Sequence, residues 1–265
     1  MESINLKSSD IEHLQKLGIG ACATVYKYGD DFVIKVFNEK GIELHDNEVF
    51  SKLVGVENGT CVFPNCALEI NQKLQGYVMQ YIEGTELHKV IKELDFENII
   101  SAVHKVENDL KLLSINKIMI EDLNQGGIMW SNQNEIKIID TDFFESAELS
   151  NQEECYSHNI YAFNTIIEME LGFINGQENS IIDFLQSKDE YNQLYREYVI
   201  SSLKGNNMSV TELIMKAIEI FEKEFGKRPT NLNEMEEMIS EKNKLQNIGN
   251  STMEYKKHDD IDDGR

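Results

Sequence analysis

Four residues carry the strongest chemical signal in this chain. Lys35 stands inside the apolar run Val33-Ile34-Lys35-Val36-Phe37, and a buried ammonium is costly unless anions surround it. Asp122 closes Ile118-Met119-Ile120-Glu121-Asp122, while Asp140 and Asp142 follow Ile136-Lys137-Ile138-Ile139. Carboxylates at the ends of apolar strands have two complementary uses. One orients or accepts a hydroxyl proton, and another holds a divalent cation between phosphates. Upstream, Gly18-x-Gly20-x-x-Ala23 is a weak signal by itself, since short glycine patterns arise by chance. A dinucleotide fold sets such glycines between a strand and a helix. Here Thr24-Val25-Tyr26 continues as strand, which leaves an ordinary hairpin and a flap over phosphates as the two readings. The anions expected around Lys35 are phosphates and a glutamate on the next helix. Glu48 is best placed for that, with Glu43 and Glu39 close enough to compete.

Taken together, the loop, the lysine and the spacing of Asp122 and Asp140 resemble the eukaryotic-like protein kinases, in an atypical, bacterial-type form with a shortened activation segment. The resemblance covers about residues 12–222, dense in motifs up to Phe144. It implies an ATP site roofed by Leu17, Gly18, Ile19, Gly20, Ala21, Cys22, Ala23, Thr24 and Val25. Lys35 would clamp the phosphates and Glu48 orient Lys35. Gly76-Tyr77-Val78-Met79-Gln80-Tyr81-Ile82 resembles the strand that leads into the family's hinge. By that resemblance Met79 flanks the adenine, the backbones of Gln80 and Ile82 bond its edge, and Glu86 lies near the ribose. Asp122 would position the acceptor, and Asp140 with Asp142 would hold Mg²⁺ or Mn²⁺.

Several positions depart from the family pattern. Ile120-Glu121 replaces its His-Arg, which removes the arginine through which a phosphorylated activation loop organises the site. Gly127 stands where the family has a metal-binding asparagine, so Asn124, Gln125 or the extra carboxylate Asp142 would have to compensate. A solvent-facing Asp142 is the plain alternative. The chain between Asp140 and the helix around Asn159 is short, and with Pro64 and Pro229 the only prolines an Ala-Pro-Glu platform for peptides is missing. The expected activity is transfer of the γ-phosphate of ATP to a Ser, Thr or Tyr hydroxyl of a protein. The rivals are a pseudokinase that binds nucleotide without turnover and a small-molecule kinase of the aminoglycoside type.

These groups need a particular frame. Alternating residues predict strands on both sides of Gly29-Asp30-Asp31, a helix over about Leu44–Leu53, and strands at Cys61–Phe63 and Tyr77–Tyr81. Beyond Leu87 the period changes. Ile99, Val103, Val106, Leu110 and Leu113 make one stripe of a long helix. Further helices are predicted at Ile160–Leu171, Tyr191–Leu203 and Val210–Glu224, with a short last one through Ile239. This is an α+β pattern, and the resemblance makes it bilobal: an N-lobe at 12–82, a C-lobe at 83–240, and an unstructured acidic tail at 241–265.

Composition narrows the classes. The 265 residues carry a formal charge of −22, from 47 acidic and 25 basic side chains. That field repels nucleic acid and either favours a basic protein substrate or partner or only keeps the protein in solution. The chain contains no apolar run of membrane-spanning length and begins without a secretory leader pattern, so a cytoplasmic location is expected. The 4 cysteines lack metal-ligand spacing and are expected as small core residues in a reducing compartment.

Overall fold

The computed structural model describes residues 2–44, 47–146, 150–173, 179–205 and 208–259. It is an α+β fold in which a sheet-rich first third precedes a helical remainder. The first part runs β1 (Ser3–Leu6), α1 (Ser8–Glu12), β2 (Lys16–Ile19), β3 (Ala23–Tyr28), β4 (Phe32–Phe37), α2 (Glu39–Leu44), α3 (Asn47–Leu53), β5 (Pro64–Ile70) and β6 (Lys73–Gln80). After it come β7 (Gly84–Glu86), α4 (Leu87–Val90), α5 (Phe96–Ile115), β8 (Ile118–Met119), β9 (Ile128–Ser131), β10 (Ile136–Ile138) and β11 (Glu145–Ser146). The chain continues through α6 (Gln152–Leu171), α7 (Ser180–Gln186), α8 (Asp189–Leu203), α9 (Val210–Phe225) and α10 (Leu232–Asp259).

The 6-stranded sheet has the order β1-β5-β6-β4-β3-β2. Side chains alternate across a strand, so each face collects every second residue. On one face Val33, Phe37, Tyr77 and Met79 pack with Phe50 of α3, and on the other Ile34, Leu68, Ile70 and Val78 pack with Ile11 of α1. Lys35 therefore faces the same side as Val33 and Phe37. The register sets it opposite Val25 on β3 and Tyr77 on β6.

The helical part gathers around α5, whose Ile99, Val103, Val106, Leu110 and Leu113 are all buried as the stripe predicted. Asn151 and Glu154 form a capping box at the start of α6, and Gly172, with φ 70°, ends it in the left-handed region that an L side chain resists. Helix α9 ends the same way at Gly226, φ 70°.

Several boundaries differ from the sequence expectation. Of the helix expected at Leu44–Leu53, α3 covers Asn47–Leu53 and α2 ends at Leu44, while residues 45–46 lie outside the described residues. Cys61–Phe63 forms only an isolated bridge, Cys61 to Ile138, and the strand begins at Pro64. Helix α10 continues past Ile239 to Asp259, as no proline interrupts a run whose commonest residue, lysine, is a good helix former. Of the acidic end, residues 260–265 lie outside the described residues. All four cysteines are free, Cys61 and Cys155 buried and Cys22 and Cys66 half-buried. No helix among the described residues is long and apolar enough to cross a membrane.

Candidate active site

Lys35 and the pair Asp140 and Asp142 meet beneath the sheet. The Lys35 ammonium donates to Asp140 Oδ1 and, at 2.6 Å, to Asp142 Oδ1. Its side chain is 13% exposed, against 32% for Asp140 and 2% for Asp142. The Tyr77 hydroxyl donates to the same Asp142 oxygen at 3.0 Å. Thr141 between the two carboxylates is buried and donates through Oγ1 to the Val62 carbonyl at 2.9 Å, which fixes the turn.

The electrostatics follow from burial and neighbours. Burial pulls the Lys35 ammonium down, but the fields of Asp142 and Asp140 more than offset it, so Lys35 is held above the usual lysine range. For Asp140 burial also acts upward, and Lys35 overrides it, so this carboxyl sits below its ordinary value. Asp142 goes the other way: burial raises it, Lys35 pulls back, and the charge of Asp140 adds to the rise. Burial first, and then Asp142 and Asp140, push the Tyr77 phenol well up, so it stays a donor.

Asp122 lies on an exposed turn with φ 53°, a conformation that Asp tolerates better than most residues. Its loop is anchored on both sides. Before it, the Ile120 N–H donates to Asn159 Oδ1 of α6 at 2.7 Å, and the Asn159 amide donates to Ser114 Oγ and the Ile118 carbonyl. After it, Asn124 accepts from the Gly126 N–H at 3.0 Å, donates to the Asp122 carbonyl at 3.2 Å, and adds to the lowering of the Asp140 carboxyl. Gly127 is buried against Asp140, and its carbonyl accepts from the Ile139 N–H at 2.8 Å. A Cβ at Gly127 would stand 3.1 Å from the Asp140 Cβ. The Asp122 loop and Asp140 are thereby one unit.

The glycine-rich turn is tethered. The Asn38 N–H donates to the Cys22 carbonyl at 2.9 Å and the Asn38 amide to the Ala21 carbonyl at 2.9 Å. Gly41 of α2 lies so near that a Cβ there would come within 2.2 Å of the Cys22 oxygen, so only glycine fits. Of the roof residues, Gly18 and Ile19 pair with Val25 and Thr24 across the hairpin, and the Gly20 N–H donates to the Ala23 carbonyl at 2.8 Å. Leu17 and Ile19 are exposed.

At the end of β6, Met79 is buried and Gln80 is exposed. The Tyr81 N–H is taken by Asp31, and the Ile82 amide and carbonyl make no hydrogen bond among the described residues. Glu86 pairs with Lys89 at 2.5 Å and His88 at 3.4 Å. Glu48 is the residue that the structure does not bring to Lys35. It sits in the first turn of α3 with an 84% exposed side chain, 3.8 Å from Lys52. Asp142 makes the Lys35 contact expected of Glu48, and it is buried rather than facing solvent. Sequence reasoning missed Tyr77, Asn159 and Gly41 as parts of the site. The one available signal was the strand pairing that sets Tyr77 opposite Lys35.

The fit to a divalent cation is specific to one carboxylate. Asp142 spends Oδ1 on Lys35 and Tyr77, and its Oδ2 is buried. Asp140 remains partly open beside the Asn124 amide. No cluster of three or more His, Cys, Asp or Glu side chains among the described residues makes a protein-only cage. Mg²⁺ commonly binds through one or two carboxylates plus substrate phosphates, and Asp140 suits that mode. A separate cavity of about 460 Å³ opens on Gln80–Glu83, lined also by Asn58, Asn132 and Lys137. No known family's sequence model matches this chain, and no curated protein matches it in sequence.

Proposed function

We propose that this chain is an ATP-binding phosphotransferase with a kinase-like bilobal arrangement, moving the γ-phosphate of ATP to a Ser, Thr or Tyr hydroxyl of a protein. The observation that supports it most is the meeting of Lys35 with Asp140, 105 positions later in the chain. A cation for phosphates and a carboxylate for the metal then share one partly buried place, next to a tethered acceptor loop. Lys35 binds the phosphates when it exchanges part of its carboxylate contact for phosphate oxygens. Asp140, with Asn124 beside it, would hold Mg²⁺ or Mn²⁺, which supplies charge neutralisation between the phosphates. Asp122, exposed on its turn, orients the acceptor hydroxyl and takes up its proton as the new O–P bond forms and ADP departs. Such transfer depends chiefly on positioning and electrostatics. The strongly acidic surface favours a basic protein substrate.

The test is incubation of the full chain with γ-labelled ATP, Mg²⁺ or Mn²⁺, and a basic protein acceptor. Label on the acceptor, absent with Lys35→Met, is the expected result. A folded Lys35→Met protein that transfers at the wild-type rate would overturn the reading. A pseudokinase is the second reading, favoured by the neutralisation of Lys35 by two carboxylates and by Gly127, which brings no side-chain ligand. Nucleotide binding without labelled acceptor under either metal would select it.

A further inference from the structure

We infer that Asp142, held by the Tyr77 hydroxyl, is the carboxylate that positions Lys35, and that helix α3 is relieved of that task. This rests on the phosphotransfer reading and deepens it by naming what sets the lysine. Asp142 Oδ1 receives both the Lys35 ammonium at 2.6 Å and the Tyr77 hydroxyl at 3.0 Å. Tyr77 is fully buried, and its ring is wedged at 5.8 Å from both Phe37 and Phe50. The phenol therefore has one orientation, and through it the Asp142 carboxylate has one as well. The Lys35 ammonium also lies 5.7 Å from the Tyr77 ring centre, within cation–π reach.

Helix α3 contributes Phe50 as a wedge while Glu48 lies outward, 84% exposed. Asp142 Oδ2 is buried without a hydrogen bond among the described residues. Regulation changes accordingly. Where a helix glutamate anchors the lysine, moving the helix switches the site. Here the anchor and the cation carboxylate are two residues apart on one turn, tied down through Thr141 to Val62. The lysine is set whenever this turn is folded, with α3 supplying only the Phe50 wedge and no carboxylate.

The experiment reads the anchor without nucleotide and then with it. In ¹⁵N-lysine-labelled full-length protein, the Lys35 ammonium is assigned by its loss in Lys35→Met. A slowly exchanging ammonium signal is expected in wild type and Glu48→Gln, lost in Asp142→Asn and weakened in Tyr77→Phe. In the phosphotransfer assay Asp142→Asn should lower kcat by about 10- to 100-fold with a smaller change in KM for ATP, as misplacement of a reacting group does. Glu48→Gln should show the smaller loss. Thermal unfolding checks that each variant folds, and Tyr77→Phe carries the test if Asp142→Asn does not. Survival of the signal in folded Asp142→Asn, its absence from wild type, or a larger effect of Glu48→Gln overturns the inference. A wild-type protein with the anchored signal but no transfer removes the phosphotransfer reading and leaves the anchor supported.

Discussion

Asp142 and Glu168 are the acidic residues buried most fully among the described residues, and they solve the problem differently. Beneath the sheet, Asp142 faces an ammonium and a phenol. Between α6 and α8, Glu168 is 8% exposed and has no cation partner among the described residues; it accepts from Tyr198, with Tyr191, Tyr195 and Asn164 close by. Burial pushes Glu168 up to about 7, and the Tyr198 hydroxyl only partly opposes that. Tyr191 Oη and Asn164 Oδ1 are buried there without partners among the described residues. The contrast teaches how to separate a site from a structural cluster. Charges of both signs gathered beside an exposed loop are ready to meet a charged ligand. Neutral donors around a lone carboxylate favour its protonation and serve packing.

The strongest way to break the comparison is Lys35→Met. It should reduce transfer by on the order of 10³-fold, about 4 kcal/mol of barrier at about 1.4 kcal/mol per tenfold. It also strands the buried Asp142 beside the partly open Asp140, which costs roughly 3–5 kcal/mol in stability by the general behaviour of broken buried pairs. Labelled-ATP assays and thermal unfolding at pH 7 check both. A Lys35→Met protein as stable as wild type would place the pair on the surface.

Next in size is Asn159→Ala, which removes three buried hydrogen bonds from the base of the Asp122 loop. A loss of about 2–4 kcal/mol is expected from the unsatisfied groups. Turnover should fall further than that of an equally destabilised core variant, and denaturant unfolding beside kinetics makes the comparison.

The Glu168 cluster sharpens the contrast through pH. Its folded value of about 7 lies above the ordinary 4.5, so the native state keeps a proton that the unfolded chain releases. Stability from this group is full below about pH 4.5, falls as pH rises, and is lost above about pH 7. Glu168→Gln preserves the acceptor for Tyr198 and removes the titration. The two proteins should converge near pH 4.5 and differ by about 1–3 kcal/mol at pH 8, with the variant the more stable. Melting curves across that range would show parallel behaviour if Glu168 were ionised throughout.

The smallest effect belongs to Glu48→Gln. An exposed i,i+4 pair such as Glu48 and Lys52 contributes roughly 0.3 kcal/mol, so the melting temperature should move by about 1 °C or less. A drop comparable to that of Lys35→Met would return the anchor to α3.

The sequence by itself determined much of this protein. A lysine in an apolar strand had to meet anions, although the pattern pointed to phosphates and Glu48 for that and kept the aspartates after two apolar segments for the acceptor and the metal. The stripe from Ile99 to Leu113 had to be a buried helical face. Local pattern suffices for such statements, because burial cost and periodicity act on neighbouring residues. Tertiary structure alone decided which carboxylate takes the lysine. That choice depends on the β4–β6 register that sets Tyr77 opposite Lys35, and on the turn at Thr141 that points Asp142 inward. It also decided that Asn159, far along the chain, pins the Asp122 loop. Partners separated by 65 to 107 positions are chosen by the packing of whole elements, and no local period records that packing.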